Sequence, residues 1–409
     1  MKTKSSSSPK LHKNLVDAVI DALESIFDKG IYADRAIERL LKSNRKWGSK
    51  DRGFIAESTY EMVRWWRFLW EVYGKPPSLK RAELYHLFGI YWLSKGYGLP
   101  ETWRSFESIW DFNFKQAKSH LPNEVGSLQS FPIWMDDLLR NEFGTEWPKM
   151  AKALNQPAKL IARANTLKTN RSELIAKFAE ENIEVLALEK NETGIVFKQK
   201  QNFFNHPLFK KGFFEIQDGG SQMIAEFLNP KPGMKVIDAC AGAGGKTLQM
   251  AAMMENKGSI IAMDVEAWKL KEFQKRAKRN SVHNVEIKAI ESNKTIKRLH
   301  NRADRLLLDV PCSGTGVIKR NPDTKWKLQP QAIEKVRALQ MDIVNNYSKM
   351  LKVGGEMVYA TCSLLTSENE DQVRNFLDQN QNFEFLAEQR IHPSETSDGF
   401  YMARLKRLS

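Results

Sequence analysis

Only 3 of the 409 residues are cysteine. That is too few to staple a chain of this length, which excludes a secreted disulfide framework and points to a reducing compartment. Long apolar runs are missing too. Nowhere do enough apolar residues follow one another for a membrane span, and the opening KTKSSSSPK has no apolar stretch behind it to make a signal peptide. Acid is in deficit: 49 Asp and Glu stand against 63 Lys and Arg, a formal net charge of +14. Such a balance suits a polyanionic partner, because each Lys or Arg set on a phosphate releases counterions. A solvated basic surface without a partner is the plainer alternative. No internal repeat is visible. A cytoplasmic protein is expected, monomeric by default, with no membrane partner and no metal.

What is there is ample core material, with 42% hydrophobic residues. Single cores stop growing at about 250 to 300 residues, so two or three domains are expected. Residues 1–13 read as a short, disordered basic arm. Residues 14–153 read as an all-α domain: Leu15, Val19, Ala22 and Ile26 repeat at helical spacing, and a second periodic segment runs from Asp34 to Leu41. One long helix then carries Tyr60, Val63, Trp66, Leu69 and Trp70 and ends at Gly74. At helical spacing those aromatics read as core rather than as a stacking platform for bases.

Residues 154–217 change texture, with strands near Leu160, Ile183–Leu188, Gly194–Lys198 and Gly212–Gln217 around one helix near Ser172–Glu181. That pattern predicts a small α+β module. In residues 218–409, strands at Lys235–Cys240, Ser259–Val265, Val285–Ile290, Arg305–Val310 and Glu356–Thr361 alternate with helical stretches. Alternation of this kind predicts an α/β domain with a parallel sheet, whose ligands bind beyond the carboxyl ends of the strands. A last strand, Phe400–Leu405, is expected at the sheet edge.

The first of these strands runs into Asp238-Ala239-Cys240-Ala241-Gly242-Ala243-Gly244-Gly245-Lys246-Thr247. A phosphate-binding P-loop needs glycine where Cys240 stands, and a dinucleotide fingerprint needs one where Thr247 stands. The remaining form, acid-x-x-x-Gly-x-Gly, is the one methyltransferases use to hold the methionine part of S-adenosyl-L-methionine, and Asp238, Gly242 and Gly244 fit it. Asp264 ends the next strand, where an acid can accept both ribose hydroxyls of a nucleoside cofactor; a helix cap is its bland reading. Glu291, after the third strand, is placed to reach the adenine side, though a solvated surface acid fits it almost as well. Cofactor contacts are thus expected from Cys240 through Lys246, Asp264, Glu291 and Asp309, with Cys240 itself structural or a backbone contact.

The fourth strand leads into Asp309-Val310-Pro311-Cys312-Ser313-Gly314, the fifth into Thr361-Cys362-Ser363. In a doubly wound sheet both loops open on the edge that carries the glycine turn. Either cysteine alone reads as a small buried hydrophobe. Two of them at strand ends, flanked by Gly and Ser turns and a carboxylate, are hard to explain as packing. A thiol oxidoreductase has no need of Asp264 or the glycine turn, and the pair is no C-x-x-C.

DACAGAGGKT, LLLDVPCSGTG followed by VIKRNPDTKW, and YATCSLLTSENE resemble the successive motifs of the Nop/Sun family of RNA cytosine-5 methyltransferases, and GFFEIQDGGSQMIAEFL is similar to the segment leading into them. The likeness runs from about Ala162 to the C-terminus. KWGSKDRGFIAESTYEMVR more weakly resembles the NusB-like RNA-binding domain of the family's bacterial ribosomal RNA members, and the middle module its RNA-recognition-like segment. Ala243, Glu291 and Asn321 depart from the family's usual proline, aspartate and histidine. The resemblance implies a Rossmann-like domain with a mostly parallel seven-stranded sheet, S-adenosyl-L-methionine as cofactor and RNA as partner, ribosomal RNA of the small subunit before transfer RNA. It makes Cys362 the nucleophile on carbon 6 and Cys312 the residue assisting adduct breakdown; the residues alone leave the two roles open. Asp309 is then placed on the base's N3 and N4 edge; a free thiol is only a few per cent thiolate at pH 7, and the cofactor's positive sulfonium together with Lys246 is expected to favour the charged form. Lys319, Arg320 and the Lys269-to-Arg279 run are candidate phosphate contacts. A non-catalytic RNA-binding assembly factor that keeps the fold is the rival from another class.

Overall fold

The computed structural model describes residues 10–199 and 201–409. Most of the expected basic arm, residues 1–9, lies outside them. The chain divides into two compact units, Met1–Asn155 with Arg320–Lys327, and Gln156–Lys319 with Leu328–Ser409.

The first unit is helical, with no strand among its described residues. Helix Lys13–Phe27 buries Leu15, Val19, Ala22 and Ile26, the face its periodicity predicts. The single long helix expected through Trp70 is two, Ser49–Arg64 and Trp66–Tyr73, because Trp65 leaves helical geometry (φ −104°, ψ 21°). Beyond that bend Trp66, Leu69 and Trp70 are buried, and Phe27 stacks on Trp66 with ring centroids 3.8 Å apart. The aromatics are core. Gly74, at φ 72°, closes the second helix with the left-handed residue that such ends favour.

Residues 320–327 are a late stretch of chain that packs in this helical unit. Lys325, fully buried, donates to Asn155 Oδ1 (2.7 Å) and to the carbonyls of Ser130 (3.1 Å), Arg64 and Gln129 (both 3.2 Å). Its ammonium also lies 4.1 Å from the ring centroid of Phe131. Trp326 Nε1 donates to Val63 O at 2.7 Å, and Asp323 accepts from Ala33 N at 2.9 Å.

The second unit holds two sheets. Strands β1 (Ile161–Ala164), β2 (Val185–Ala187), β3 (Gly194–Phe197) and β4 (Phe214–Ile216) form an antiparallel sheet in the order β2-β3-β1-β4. Helix Arg171–Glu180, capped by the Asn170 side chain, adds Leu174 and Phe178 to a core with Phe197, Phe203 and Phe214. The larger sheet contains β5 (Lys235–Asp238), β6 (Ser259–Asp264), β7 (Val285–Ala289), β8 (Ala303–Asp309), β9 (Leu351–Thr361), β10 (Phe383–Ile391) and β11 (Phe400–Arg407). Their order is β10-β11-β9-β8-β5-β6-β7.

Strands β5 to β9 pair in parallel, whereas β11 is antiparallel to β9 and β10. The last strand is therefore not at the edge as its position in sequence suggested. It inserts between β9 and β10, and β10 takes the edge. From β5 the chain winds outward to β7 and then returns through β8 and β9, so the strand order reverses beside β5. Such a reversal opens a crevice at the carboxyl ends of the neighbouring strands, where ligands of open α/β sheets bind. Hydrophobic clusters line both faces, one including Leu306, Leu308, Met357 and Tyr359, the other Val236, Leu307, Val358 and Met402.

Candidate active site

The glycine turn joins β5 to helix Gly245–Met253. Its two key glycines serve different ends. Gly244 has φ +81°, and a Cβ there would lie 1.9 Å from the ring of Phe273, which packs beneath the turn. Gly242 has φ +54° and nothing within 4 Å of its would-be Cβ, so it presents bare backbone to open space. Asp264, at the end of β6, accepts from Gly242 N through Oδ2 and from Glu266 N through Oδ1, both at 2.8 Å. The acid thus braces the turn and also fixes the chain entering helix Ala267–Arg279. The bland capping role and a role at the cofactor edge are not exclusive.

A cavity of about 90 Å³ beside the turn is lined by Gln217, Ser221, Asp238, Cys240, Ala241, Gly245, Lys246 and Asp309. Asp238 is buried; Oδ2 accepts from Thr247 Oγ1 at 2.6 Å, while Oδ1 has no partner. Burial pushes its carboxyl up to about 7. An orphaned buried carboxylate oxygen in such a cavity fits a cation, and the ammonium of the methionine moiety of S-adenosyl-L-methionine is one. Lys246 Nζ sits 2.5 Å from Asp309 Oδ2. Burial opposes the charge on Lys246, but Asp309 outweighs it and the pKa is raised. Burial, then the charges of Asp238, Asp309 and Asp264, push the Cys240 thiol well up, which favours a neutral packing role.

The carboxyl ends of β8 and β9 bring Cys312 and Cys362 together, with Sγ atoms 3.2 Å apart. Both thiols are free and partly buried. Their loops are laced by hydroxyls: Ser313 Oγ and Thr315 Oγ1 lie 3.1 and 3.2 Å from Ser363 Oγ, and Gly316 N donates to Cys362 O at 2.9 Å. Glu368, fully buried, accepts from Ser313 N (2.8 Å), Gln340 Nε2 (2.9 Å) and Ser363 Oγ (2.6 Å).

The structure gathers Asp238, Cys240, Ala241, Gly245, Lys246 and Asp309 around one cavity, with Gly242, Ala243 and Gly244 in the turn beside it and Asp264 bracing that turn from the end of β6, and pairs Cys312 with Cys362. Glu291 is exposed and does not line that cavity. Lys319, expected on phosphate, is buried instead. Its ammonium donates to the carbonyls of Ser394 (2.5 Å) and Ser397 (2.8 Å) and lies 3.6 Å from buried Asp398. The Lys269-to-Arg279 run is split: Lys271, Lys275 and Lys278 are exposed, whereas Arg276 donates to Ala243 O (2.8 Å) and pairs with Glu215, as does Arg279. Sequence reasoning missed Gln217, Ser221, Arg276 and Glu368. Gln217 and Ser221 were in view inside the IQDGGSQ string, but no spacing rule assigned them to the cavity.

Residues 225–406 match the family described as 16S rRNA methyltransferase RsmB/F, and residues 131–203 match that family's ferredoxin-like domain. A probable ribosomal RNA small subunit methyltransferase B from Synechocystis is 31% identical over 94% of this chain and 97% of its own. The ribosomal RNA small subunit methyltransferase B of Vibrio vulnificus is 30% identical over 96% and 99%. Among solved structures, a methyltransferase homolog protein from Pyrococcus horikoshii superposes with a TM-score of 0.62 at 27% identity, over 69% of this chain and 98% of that one. With a glycine turn, acids beside it and two apposed thiols on a sheet of this order, the chain belongs to the RsmB/F family of methyltransferases.

Proposed function

We propose that this protein transfers a methyl group from S-adenosyl-L-methionine to carbon 5 of a cytosine in small-subunit ribosomal RNA, through a covalent adduct between Cys362 and carbon 6. The observation that carries the reading is the contact between two thiols at adjacent strand ends, 3.2 Å apart. In this reading residues 14–153 bind RNA, residues 154–217 are an accessory module, and residues 218–409 carry the chemistry in the cytoplasm. The names of the relatives support ribosomal RNA as substrate.

S-adenosyl-L-methionine supplies an electrophilic methyl group when bound. The glycine turn from Cys240 to Lys246, with Asp238 and Asp264, is suited to hold it, Asp238 by its unpartnered oxygen. Glu291 has no part in this account. Cytosine carbon 5 is too poor a nucleophile to take a methyl group unaided. Attack of the Cys362 thiolate on carbon 6 forms the C–S bond and moves the C5–C6 π pair onto carbon 5, which splits one hard step into two easier ones. Lys246 favours the thiolate, and Asp309 steadies the N3 and N4 edge of the base as charge develops there. Once carbon 5 has used that π pair to bond the methyl group, whose former bonding pair would stay with the cofactor's sulfur, the carbon 5 proton leaves to a base, the C5–H pair re-forms the double bond, and the C–S bond breaks with its pair returning to Cys362. Cys312 assists that breakdown. Attack comes at the ring face, so the target base must be unstacked.

The test is incubation with labelled cofactor and ribosomal RNA from cells lacking the enzyme. Label should enter 5-methylcytosine with wild type and be absent with Cys362→Ala. Label in another base, or a Cys362→Ala variant as active as wild type, defeats the proposal. Label in transfer RNA alone keeps the chemistry and moves the substrate. No transfer to any RNA favours an assembly factor.

A further inference from the structure

A proton shared by two thiols 3.2 Å apart can sit on either sulfur. The two sides differ in charge. Glu368 lies behind Cys312: its Oε2 accepts from Ser313 N, the next residue in the chain, and from Gln340 Nε2, which also donates to Pro311 O, the preceding one. Its Oε1 accepts from Ser363 Oγ. Every partner of the carboxyl group donates, the pattern an ionised carboxylate requires. A negative charge is thus tied to the backbone on both sides of Cys312, directly at Ser313 and through Gln340 at Pro311, whereas next to Cys362 it meets only the hydroxyl of Ser363. On the other side, the Lys246 ammonium acts electrostatically on Cys362 while paired with Asp309.

The remaining neighbours do not cancel this asymmetry. Tyr359, buried near Cys312, donates its hydroxyl to Glu368 O at 2.7 Å. Glu370 pairs with Arg390, and Arg337 pairs with Glu334 while donating to Ser367 O. The Cys312 thiol is pushed well up, first by its hydrogen bond with Cys362, then by burial, then by the charges of Cys362 and Glu368.

We propose that Glu368 is a positioning residue that sets the direction of this proton, so that Cys312 donates to the sulfur of Cys362. Cys312 rests as a neutral thiol, and Cys362 is left as the sulfur free to attack. The proposal rests on the reading of Cys362 as nucleophile for its consequence, but its test needs no methyl transfer.

Glu368→Gln removes the charge and can keep the contacts. The Gln oxygen takes the place of Oε2, and its amide donates to Ser363 Oγ, whose proton then turns to Ser313 Oγ or Thr315 Oγ1. Full-length protein is alkylated with iodoacetamide across pH 6 to 9 and each cysteine read by peptide mass spectrometry. In wild type, Cys362 should label well before Cys312 at neutral pH. In Glu368→Gln the ratio of Cys312 to Cys362 labelling should rise about tenfold, the equivalent of one pKa unit. Glu368→Asp, which retains the charge, should restore most of the wild-type ratio. An unchanged ratio in folded Glu368→Gln, or an equal change in Glu368→Asp, overturns the proposal. If Glu368→Gln does not fold, wild type and Lys246→Met decide: Cys312 labelling first in wild type overturns it, as does loss of the order in Lys246→Met, whereas Cys362 still labelling first with that ammonium removed upholds it. Methyl transfer by the same wild-type sample is measured separately, so failure of that reading is recognised on its own.

Discussion

Lys246 and Lys325 are both largely withdrawn from water, yet their surroundings push them in opposite directions. Lys325, in the helical unit, is caged by three carbonyls, one amide oxygen and an aromatic face, with no carboxylate among them. Burial, then the charge of Arg64, drives its pKa well below the usual value. Lys246, in the methyltransferase sheet, meets Asp309 at 2.5 Å, and its pKa rises. Burial alone therefore does not mark a functional lysine. Neutral acceptors tie a segment down, whereas a carboxylate partner facing a cavity keeps a charge ready for chemistry.

The sharpest way to break this comparison is to remove each ammonium in turn. Lys246→Met should lower kcat by about 100-fold or more, since in the proposed mechanism Lys246 supplies the charge that favours the Cys362 thiolate, while leaving the melting temperature near wild type. Activity within a few-fold of wild type would remove Lys246 from the site. Lys325→Ala should do the reverse. Its four acceptors lose their donor, and urea denaturation should show a loss of roughly 2 to 4 kcal/mol, with methyl transfer at low temperature largely kept. Lys325→Met, which refills the volume, should recover part of that loss. An unaltered urea midpoint in Lys325→Ala argues against the anchoring role.

Asp238 sharpens the comparison from the acid side. Its pKa is raised from 3.8 to about 7, so the folded state holds a proton that the unfolded chain has lost. Its contribution to stability is complete below about pH 4 and is lost as pH rises towards 7. Binding of a cation at Oδ1 needs the ionised form, so cofactor affinity should fall up to tenfold per unit as pH drops below 7. Calorimetric titration from pH 5.5 to 8 checks this; a flat profile, or one shared by Asp238→Asn, contradicts it. The smallest effect is expected at Glu291, whose change to Gln should alter cofactor affinity by less than about twofold, as for an exposed, screened charge. A tenfold loss in the same titration would return Glu291 to the site.

The glycine turn and both cysteine loops were legible because each is a short string at the end of an apolar strand. The doubly wound sheet followed from the alternation of patterns. Other features depend on contacts that no local pattern carries. Glu368 acts on residues 55 and 28 positions away, Ser313 and Gln340, and resembles any acid opening a helix. Arg276 hid in a basic run in which Lys271, Lys275 and Lys278 are solvated, although its guanidinium reaches Ala243 O. Helix Gly219–Leu228 opens on two glycines. A Cβ on Gly219 would lie 2.7 Å from Thr396 O, and one on Gly220 2.6 Å from the ring of Phe400, so close packing rather than flexibility selects them. Edge strand β10 is interrupted by a register shift between Phe385 and Ala387, which spoils the alternation of its side chains.

The central claim, that Cys362 is the attacking sulfur and Cys312 its helper, is tested most directly by trapping the adduct. Cys312→Ala is incubated with cofactor and small-subunit ribosomal RNA, the denatured protein is digested together with its bound RNA, and the modified peptide is sequenced by mass spectrometry. The account predicts an adduct mass of a methylated cytidine on Cys362, accumulating well above wild type and absent from Cys362→Ala. A nucleotide on Cys312 in the Cys362→Ala protein, with none on Cys362 in the Cys312→Ala protein, would contradict it.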